Sequence, residues 1–578
     1  MSTASQNSGN KSEKSQLIEC VPNFSEGRNM NIIKQITNMI ESVDGVTLIN
    51  VDPGKATNRT VVTFVGAPED VCEAAFRAVK KACELIDMTV HHGEHPRFGA
   101  TDVLPLIPVS GITMDETAEY ARNLAKRIGD ELHFPVYCYE MAAFTPQRKN
   151  LANCRAGEYE GLKEKLSNPE WEPDFGPAEF VPKTGAIAVG ARNFLIAYNI
   201  NLNTVSVRRA NAVAFDLREK GRPKRETSSP TSKKILDENG NEIRIPGLLK
   251  SVKAIGWFIE EYGIAQISMN LTDIDVTPMH IAFDKACERA TERGLRVTGS
   301  ELVGVVPLKA MLDAGKYFLR KQRRSTGISD DEIIKIAVKS LGLDELYNFD
   351  YRKKIIEYIL EDKENKKLLT NLNLTEFANE TASESPAPGG GSISAYIGAL
   401  GAALGMMVAN LSAHKAGWDE RWEEFSNHAE QGKIFMDALL KKVDEDTEAF
   451  NKIMNAFALP KKTDNEKHIR RQKIQEATRY AIEVPFSVMQ LCLDSMQVIK
   501  AMAESGNPNS ASDAGVGALA ARTGVMGAFL NVKINASGLD DKTFAENTVA
   551  KAQKIAAAAC ALENEILATV ENKINSMK

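Results

Sequence analysis

The chain has 578 residues, too many for one hydrophobic core, so several domain-sized units are expected. Its 43 % hydrophobic and 26 % charged residues are typical of globular proteins, and the net charge of −6 argues against a nucleic-acid partner. Eight scattered cysteines favour free thiols, and neither a signal peptide nor an uninterrupted apolar run of about 18 residues is present, so we expect a cytoplasmic protein outside membranes.

The first 185 residues predict a disordered tail followed by an α/β layer. Residues 1–16 are rich in Ser, Asn, Lys and Gln and bury too little apolar surface to fold. Hydrophobic periods then predict strands at 17–21, 46–51, 60–65, 103–109 and 136–140, and helices at 30–42, 69–86 and 115–131, the last capped by Thr113. We interpret these segments as a β-α-β-β-α-β sandwich whose helices cover one face of a mixed sheet.

A passage rich in proline and glycine, residues 174–185, is interpreted as the boundary with a second α/β layer. The second layer is predicted to contain strands at 186–189, 194–199, 253–260 and 265–270, helices at 208–220 and 279–294, and a closing segment at 301–307. Within it, residues 221–242 are predicted to form a mobile surface insertion. Their many Lys and Arg residues leave contact with a polyanion open, although a solvated loop is favoured.

Strand patterns disappear after residue 330, and long Ala-rich amphipathic helices fill the C-terminal third. A charged linker at 361–367 precedes a domain of the helical-bundle type. The sequence therefore predicts a multidomain fold with two α/β sandwich subdomains followed by an all-α helical bundle. The predicted divisions are 1–16, 17–185, 186–360, 361–367 and 368–578.

The stretch His91–Asp102 is the first candidate for catalytic chemistry, because it holds three of the eight histidines within five residues. Pro96 restricts His95 to an extended backbone, so this imidazole is predicted to lie on a loop, where catalytic groups concentrate. Glu94 and Arg97 flank His95 with opposite charges, which favours a pKa near neutrality, as proton transfer requires.

The other two histidines of the stretch, His91 and His92, are better explained by ordinary roles, one on the surface and one packed in the core. A zinc site is not expected, because the chain has neither a His-Glu-x-x-His motif nor a Cys-x-x-Cys motif. Upstream, Asp52, Asn58 and Arg59 lie at adjoining strand ends. This segment is either a plain turn or a site for a zwitterionic substrate, with Arg for a carboxylate and Asp for a cation.

The helix predicted at 434–457 carries the most informative acidic residue of the helical part. Asp446 lies on its apolar stripe, whereas Asp444 and Glu448 lie toward the sides. The stripe consists of Met436, Leu439, Val443, Phe450, Ile453 and Phe457. A carboxylate on the packed side of a helix is costly unless it is paired or functional, so Asp446 is a candidate catalytic acid. The alternative is an exposed residue in an acidic run.

The run Gly389–Ser392 stands before an Ala- and Gly-rich helix and is not a P-loop, since no Gly-Lys-Ser/Thr follows. It permits close packing with a neighbouring helix or subunit, which is favoured, or backbone N–H groups that face an anion. A polar loop at 506–513 is expected to line the same pocket, and its Asp513 is the next candidate acid.

Three motifs of the α/β part, Cys20–Gly27, Gly93–Ala100 and Phe194–Leu202, resemble the formiminotransferase domain of the formimidoyltransferase-cyclodeaminase family. Two motifs of the helical part, Ala387–Ser392 and Gly401–Gly405, resemble the family's cyclodeaminase domain, which is also related to methenyltetrahydrofolate cyclohydrolases. The resemblance runs from about residue 17 to the C-terminus, so it is far more specific than any single motif.

The resemblance implies two consecutive folate reactions in histidine degradation. The first transfers the formimino group of formiminoglutamate to N5 of tetrahydrofolate, with His95 as the proton-transfer residue and Asp52 holding the protonated formimino group. The predicted substrate-binding set is Asp52, Asn58, Arg59 and Arg97. The second closes the adduct to 5,10-methenyltetrahydrofolate with release of ammonia, and Asp446 matches the family's acid/base residue.

The resemblance also implies two folate-binding segments, within 176–185 and 247–256. The predicted folate-binding residues are Gly176, Pro177, Phe180, Pro182, Lys183, Gly185, Gly247, Lys250, Lys253 and Gly256. Tetrahydrofolate, expected in a polyglutamylated form, is the implied co-substrate, its glutamate carboxylates facing the three lysines. No metal is expected. A homo-oligomer formed through the helical and the transferase domains is expected.

Two other functions stay open from the sequence. A C-terminal domain acting as a methenyltetrahydrofolate cyclohydrolase would be distinguished by whether ammonia is released from formiminotetrahydrofolate. A folate-binding scaffold without turnover is opposed by the presence of both His95 and Asp446 in contexts that match the family.

Overall fold

The computed structural model describes residues 16–54, 58–93, 97–227, 231–364 and 368–576. The chain folds into two compact units. The first comprises Met1–Ala310 with Leu341–Lys363, and the second comprises Met311–Ser340 with Glu364–Lys578. The predicted domain of residues 186–360 is therefore divided between the two units.

The first sheet is mixed, as predicted, and its three long helices cover one face. Its strands are β1 (Leu17–Cys20), β2 (Asn23–Phe24), β3 (Thr47–Gly54), β4 (Arg59–Gly66), β5 (Thr101–Ser110), β6 (Val136–Glu140) and β7 (Ile187–Ala191). Three helices, α1 (Met30–Glu41), α2 (Pro68–Leu85) and α3 (Met114–Leu132), pack on one side of it. Helix α3 begins at Thr113, whose hydroxyl forms a reciprocal capping box with Glu116, so the predicted cap is confirmed.

The strand predicted at 186–189 to open the second layer belongs to the first sheet, so that prediction is wrong. Strand β7 runs parallel to both β5 and β6 and lies between them. Parallel neighbours cannot be joined by a tight turn, and the passage at 174–185 supplies the return. The proline and glycine residues there mark a connection within the sheet, and the first layer extends to Ala191.

The two faces of the first sheet have different roles. Ile18, Phe64 and Leu106 point to the helices and are fully buried. On the opposite face, Val103 and Tyr137 pack against a smaller cluster. That cluster involves the short helices α4 (Leu151–Cys154) and α5 (Leu162–Leu166). The polar residues of the candidate site lie on this opposite face or at its end.

The second sheet of the first unit is antiparallel, with strand order β11-β12-β8-β13. Its strands are β8 (Ile196–Leu202), β11 (Val252–Ile259), β12 (Ile264–Leu271) and β13 (Val297–Val303), and the helices α6 (Val207–Leu217) and α7 (Met279–Glu292) pack on them. The first unit also contains α10 (Ile356–Glu364, to residue 363). The predicted insertion at 221–242 contains regular structure where it begins. Strand β9 (Arg222–Pro223) pairs antiparallel with β10 (Arg244–Ile245), which brings the two ends of the insertion together. Residues 228–230 lie outside the described residues.

The second unit is helical in its described part, as predicted. Its helices are α8 (Leu308–Lys321, from residue 311 on), α9 (Asp330–Leu341, to residue 340), α11 (Leu374–Thr381), α12 (Gly390–Ala413), α13 (Trp422–Ala458), α14 (Asp464–Ser505), α15 (Ala511–Ser537) and α16 (Lys542–Ser576). Helix α14 packs against α12, α13, α15 and α16 and forms the centre of the bundle. The first residues of the predicted 361–367 linker end helix α10, and 365–367 lie outside the described residues.

Small residues bring the bundle helices close together. A Cβ added at Gly401 of α12 would lie 2.8 Å from the backbone nitrogen of Ala521 in α15. By length and composition, the segments Gly390–Ala413 and Pro508–Ser537 are apolar enough to cross a membrane, although about half of each is buried inside the unit. Core helices of a bundle have this composition as well.

Helix α6 packs closely on the second sheet at Gly256. Its backbone N–H donates to Asn211 Oδ1 at 3.0 Å, and a Cβ there would lie 2.3 Å from the backbone nitrogen of Asn211. We expect Gly256→Ala to destabilise the first unit by about 1–3 kcal/mol, because helix and strand must move apart. Differential scanning calorimetry measures the change. The control is Gly538→Ala, whose Cβ has open surroundings beyond 3.6 Å, and an equal loss in both variants would contradict the argument.

Candidate active sites

Two of the predicted substrate-binding residues, Asp52 and Arg59, lie on the sheet face opposite the helices. Asp52 of β3 pairs with Val61 of β4, and Asn23 of β2 pairs with Val61 from the other side. Paired residues share a face, and so do residues two apart along a strand, so Arg59 joins this row. The guanidinium of Arg59 donates to Asn23 Oδ1, and Asp52 is exposed. The structure therefore brings a carboxylate and a guanidinium to one polar edge of the sheet.

Asn58 fastens the histidine stretch to the start of β4. It adopts a left-handed backbone with φ of +47°, which Asn tolerates better than most residues. Its Oδ1 accepts from the N–H of Gly27 at 3.0 Å, and its Nδ2 donates to the carbonyl of His92 at 3.0 Å. Both ends of the amide are thus used inside the protein, so the geometry favours a scaffolding role over substrate binding.

His91 is a buried structural histidine, and His92 is exposed, as predicted for this pair. His91 Nε2 lies 2.8 Å from the carbonyl oxygen of Asn58, so it carries the proton and donates. Its Nδ1 then accepts from Arg97 Nε at 3.3 Å. Burial lowers the pKa of His91, and the charge of Arg97 lowers it further against the Asn58 hydrogen bond. His91 is therefore held neutral as an anchor for Arg97.

The guanidinium of Arg97 is committed to neighbouring protein groups. It donates to both carboxylate oxygens of Glu160, at 2.8 and 2.9 Å, and to the carbonyl of His91 at 3.2 Å. The hydrogen bonds to Glu160 raise the pKa of Arg97. A cavity of about 520 Å³ opens beside it and is lined by His92, Gly93, Arg97, Gly157, Glu158 and Glu160. Arg97 therefore lines this cavity, but its positive charge is already paired with the carboxylate of Glu160.

The predicted catalytic residue His95 lies outside the described residues, together with Glu94 and Pro96. Its role stays a prediction from the sequence.

Sequence reasoning missed an ion pair beneath the histidine stretch. Asp102 is fully buried, and its carboxylate accepts from the N–H of Phe98 at 3.2 Å and from Arg155 Nε at 3.2 Å. A buried carboxylate requires such partners. Asp102 ends the stretch that the sequence singled out, but nothing near Arg155 in the sequence indicates the pairing. The pair fixes the start of β5 under the candidate site.

The first predicted folate segment is fastened to the histidine stretch at one end. The N–H of Ala100 donates to the carbonyl of Thr184 at 2.8 Å, and the N–H of Ala186 donates to the carbonyl of Phe98 at 2.9 Å. Gly185 lies between them with φ of +69°, a conformation that favours glycine. The close approach of Gly185 to the backbone of Phe98 explains this glycine without a ligand.

The remaining residues of this segment are spread along it. The ring of Phe180 packs on Tyr159, with centroids 5.5 Å apart, and the hydroxyl of Tyr159 donates to the carbonyl of Pro182 at 2.7 Å. Lys183 is exposed and donates to the carbonyl of Glu84 at 2.8 Å. Gly176, with φ of +77°, and its half-buried neighbour Pro177 lie at the other end, where Gly176 meets the carbonyl of Phe134.

The second predicted folate segment contains two glycines with a packing role. A Cβ at Gly247 would lie 2.0 Å from the carbonyl oxygen of Arg218, and Gly256 contacts α6 as described above. Its lysines are exposed, and Lys250 lies 3.8 Å from Glu219. A cavity of about 440 Å³ is lined by Arg218, Glu219, Lys220, Ser251, Val252, Lys253, Ala254, Ile255 and Thr272. Lys253 and its basic neighbours give this cavity a positive rim.

A second set of polar residues that sequence reasoning missed covers one face of the second sheet. Gln266 and Asn201 are fully buried, and Gln266 Nε2 donates to Asn201 Oδ1 at 2.9 Å and to Glu301 Oε2 at 3.2 Å. Trp257 Nε1 donates to Gln266 Oε1 at 3.0 Å. The alternation of Asn199 and Asn201 in the family motif was the available signal, because residues two apart in a strand share a face.

In the second unit, Asp446 faces the first turn of α12. Its Oδ2 lies 3.1 Å from the hydroxyl of Ser392, and a Cβ at Gly391 would lie 2.1 Å from its Oδ1. Burial raises the pKa of Asp446, against the hydrogen bonds from Ser392. Its neighbour Asp444 points elsewhere and accepts from the N–H of Leu369 at 2.6 Å. The arrangement suits a carboxyl group that exchanges a proton.

Both interpretations of the glycine run at 389–392 apply. Gly391 permits close packing, and the anion that meets the helix N-terminus is the carboxylate of Asp446. The expectation that the 506–513 loop lines the same pocket is wrong. The N–H of Asn507 donates to Ser412 at 2.8 Å, at the far end of α12. Twenty residues of helix separate Ser412 from Ser392, about 30 Å, so Asp513 is no candidate for this site.

Within the described ranges, no group of three or more His, Cys, Asp or Glu side chains is placed to hold a metal ion.

Three family models match consecutive parts of the chain. The formiminotransferase domain, N-terminal subdomain, matches residues 17–192, the formiminotransferase domain matches 197–361, and formiminotransferase-cyclodeaminase matches 373–554. A formimidoyltransferase-cyclodeaminase of Mus musculus is 42 % identical over 534 residues, which cover 92 % of this chain and 95 % of the relative. The chain belongs to the formimidoyltransferase-cyclodeaminase family.

Relatives that correspond to one part of the chain show how the family is composed. A glutamate formimidoyltransferase of Streptococcus pyogenes is 37 % identical over 342 residues, 59 % of this chain and 98 % of the relative. A methenyltetrahydrofolate cyclohydrolase of Methylorubrum extorquens is 40 % identical over 205 residues, 36 % of this chain and 99 % of the relative. The first family match ends at residue 192, directly after strand β7.

Asp446 should reduce the stability of the helical unit at neutral pH. The pKa of Asp446 in the folded protein lies above the ordinary value of 3.8, so the folded state binds this proton more tightly than the unfolded chain does. The stability that the bound proton contributes is fully present below pH 3.8, and it is lost as the pH rises through the folded pKa. We expect Asp446→Asn to raise the unfolding temperature at about pH 7.5, with a smaller gain near pH 4. Asp444→Asn should lower it at neutral pH, because Asp444 accepts from Leu369 and Thr370. A gain that did not depend on pH would contradict this account.

Proposed function

We propose that this protein is a bifunctional folate enzyme, a glutamate formimidoyltransferase joined to a formimidoyltetrahydrofolate cyclodeaminase. The observation that carries the proposal is the 42 % identity with a formimidoyltransferase-cyclodeaminase over 92 % of the chain. It moves the formimino group of N-formimino-L-glutamate to tetrahydrofolate and then closes 5-formiminotetrahydrofolate to 5,10-methenyltetrahydrofolate and ammonia. Histidine degradation is the pathway that fits this substrate.

In the transfer step, N5 of tetrahydrofolate attacks the amidine carbon of formiminoglutamate. N5 must lose a proton and the departing glutamate nitrogen must gain one, and His95 is the residue proposed to carry it. The polar edge of the first sheet offers complementary charges to the substrate. Arg59 suits its carboxylates, and the exposed Asp52 suits the protonated formimino group. Arg97, balanced by Glu160, would shape the adjoining cavity and leave substrate charge to Arg59.

In the cyclisation step, N10 attacks the formimino carbon, and the nitrogen of that group leaves as ammonia. The proton that N10 loses is needed by the departing nitrogen, and one carboxyl group can carry it between them. Asp446 is proposed for this role. Its raised pKa, caused by burial, brings the protonated and ionised forms closer in free energy at working pH.

Tetrahydrofolate is the co-substrate, and we propose that its polyglutamylated form is bound. The support is the basic rim formed by Arg218, Lys220 and Lys253 at the cavity of the second sheet. Glutamate carboxylates would meet these cations at the protein surface. No step of the proposed chemistry requires a metal.

A cyclohydrolase activity of the helical unit is the second candidate, and one observation favours it. The methenyltetrahydrofolate cyclohydrolase of Methylorubrum extorquens matches 36 % of this chain over 99 % of its own length, and the motifs of the helical unit resemble those of such cyclohydrolases. The two activities differ in the substrate that is consumed. Release of ammonia from formiminotetrahydrofolate would establish the cyclodeaminase activity.

We expect two variants to block the two reaction steps separately. His95→Ala should lower transfer by about 10²–10⁴-fold and leave cyclisation of supplied 5-formiminotetrahydrofolate intact, because His95 and Asp446 belong to parts of the sequence that match different family models. Asp446→Asn should stop ammonia release while 5-formiminotetrahydrofolate accumulates. Absorbance of methenyltetrahydrofolate and released ammonia are followed together. Full transfer by the first variant, or full ammonia release by the second, would reject the corresponding assignment.

We infer that the protein forms a homo-oligomer through the helical unit, in a cytoplasmic setting that suits its free cysteines. Helices α12 and α15 pack side by side on α14 and expose large apolar side chains. These are Leu400, Met407, Leu411, Val516, Leu519, Leu530 and Ile534. Their spacings of three, four, seven and eleven residues are close to whole numbers of helical turns, so they form stripes of the kind that pack against another helix pair. A second copy of this chain is the proposed partner, and a transferase-domain interface is also expected.

The oligomer proposal is tested by placing charge on the stripes. The double variant Leu400→Arg, Leu530→Arg should sediment as a smaller species than the parent protein in analytical ultracentrifugation, because buried unpaired charges are costly. Val205→Arg is the control, since Val205 is an exposed apolar residue of the first unit. An unchanged sedimentation coefficient in the double variant would remove these helices from the interface.

A further inference from the structure

Ser392 occupies an unusual position beside the candidate acid of the helical unit. It is fully buried in the first turn of α12. Its hydroxyl oxygen lies 2.9 Å from the carbonyl oxygen of Val443, 3.1 Å from Asp446 Oδ2 and 3.4 Å from the hydroxyl of Thr447. A serine hydroxyl has one proton to donate and two lone pairs to accept with. The carbonyl of Val443 and the ionised carboxylate of Asp446 can only accept, whereas the hydroxyl of Thr447 can accept or donate. Ser392 therefore cannot donate to Val443 and Asp446 at once.

The two acceptors permit two hydrogen-bond arrangements. When Asp446 is ionised, Ser392 donates to its carboxylate. When Asp446 is protonated, its O–H donates to Ser392, and Ser392 turns its own proton to the carbonyl of Val443. In both arrangements the protons of Ser392 and Asp446 lie in hydrogen bonds, so neither protonation state of the acid leaves one of these hydrogens without a partner.

We propose that Ser392 is a positioning residue of the cyclisation step, which keeps Asp446 hydrogen-bonded and oriented in both of its protonation states. The inference rests on the proposed role of Asp446. During the step, a bond forms between N10 and the formimino carbon, and the bond from that carbon to the departing nitrogen breaks with its electron pair on nitrogen. Asp446 takes the proton from N10 and gives it to that nitrogen, which leaves as ammonia. Ser392 exchanges no proton with the folate and only rotates its hydroxyl.

Among the described residues around Asp446, Ser392 is the one whose hydrogen bonds act on the pKa of the carboxyl group. The Ser392 hydroxyl and backbone N–H lower the pKa of Asp446 against the effect of burial, and in the described part of the chain no charged side chain shifts it noticeably. The charged neighbours on α13 are engaged elsewhere: Asp444 with Leu369, Glu445 with Lys442 and Tyr480, and Glu448 with Lys452. On α15, the neutral Asn531 adjoins Gly390.

The test compares Ser392→Ala with Ser394→Ala. Ser394 is a matched control, because its hydroxyl donates to the carbonyl of Gly390 at 2.6 Å in the same helix. For Ser392→Ala we expect kcat of cyclodeamination to fall about tenfold, with KM within about twofold, since a hydrogen bond to a charged group is lost. The acidic limb of the kcat profile should move to higher pH, because loss of the donor raises the pKa of Asp446. Formimino transfer should stay unchanged.

Further variants distinguish a failure of the role of Ser392 from a failure of the proposed role of Asp446. Ser392→Cys, which keeps a weak donor, should recover part of kcat, and it replaces the alanine variant if that variant fails to fold by circular dichroism. Equal activity of the two serine→alanine variants, or a loss of kcat without movement of the acidic limb, overturns the role of Ser392. If Asp446→Asn retains ammonia release, the proposed function of the helical unit fails first, whatever the serine variants do.

Discussion

The candidate transferase site depends on a backbone-to-backbone contact between two distant segments. Gly99 and Gly185 meet where β5 begins and the connection to β7 ends, and a Cβ at Gly99 would lie 1.9 Å from the carbonyl oxygen of Ala186. Hydrogen bonds on either side of this contact join 98–100 to 184–186. Because no side chain fits between the segments, residues 98–100 have one position relative to the sheet. Asn58, through the carbonyl of His92, and the buried pair of Asp102 and Arg155 hold the neighbouring described residues.

Much of the fold follows from local sequence signals. The periods of β4 and α3 and the cap at Thr113 are local properties, and the structure confirms them. The place of β7 is not local, because an apolar strand of five residues fits either sheet and only pairing with β5 and β6 decides. The same holds for residues 311–340, whose helices show an apolar face but not the unit against which it packs.

The sites show the same division between local and distant information. The apolar stripe of α13 places Asp446 on the packed side, and the structure adds its partners there: the hydroxyl of Ser392, and Gly391, whose missing side chain leaves room for the carboxylate. The sequence gives no sign that Arg155 reaches Asp102 from 53 residues away, or that Gln266 bonds to Asn201 on the neighbouring strand. Such partners depend on strand register and on chain crossings, which a single sequence does not record.

The insertion of β7 between β5 and β6 also determines when the first layer can be completed during synthesis. Strands β5 and β6 leave the ribosome with facing edges that have no partner until the chain has been made beyond Ala191. Translation at about 5–20 residues per second leaves those edges open for seconds. Exposed edges of this kind attract other strands. The nascent chain therefore passes through an interval in which the incomplete sheet exposes strand edges, whereas consecutive helices of the helical unit pack on one another.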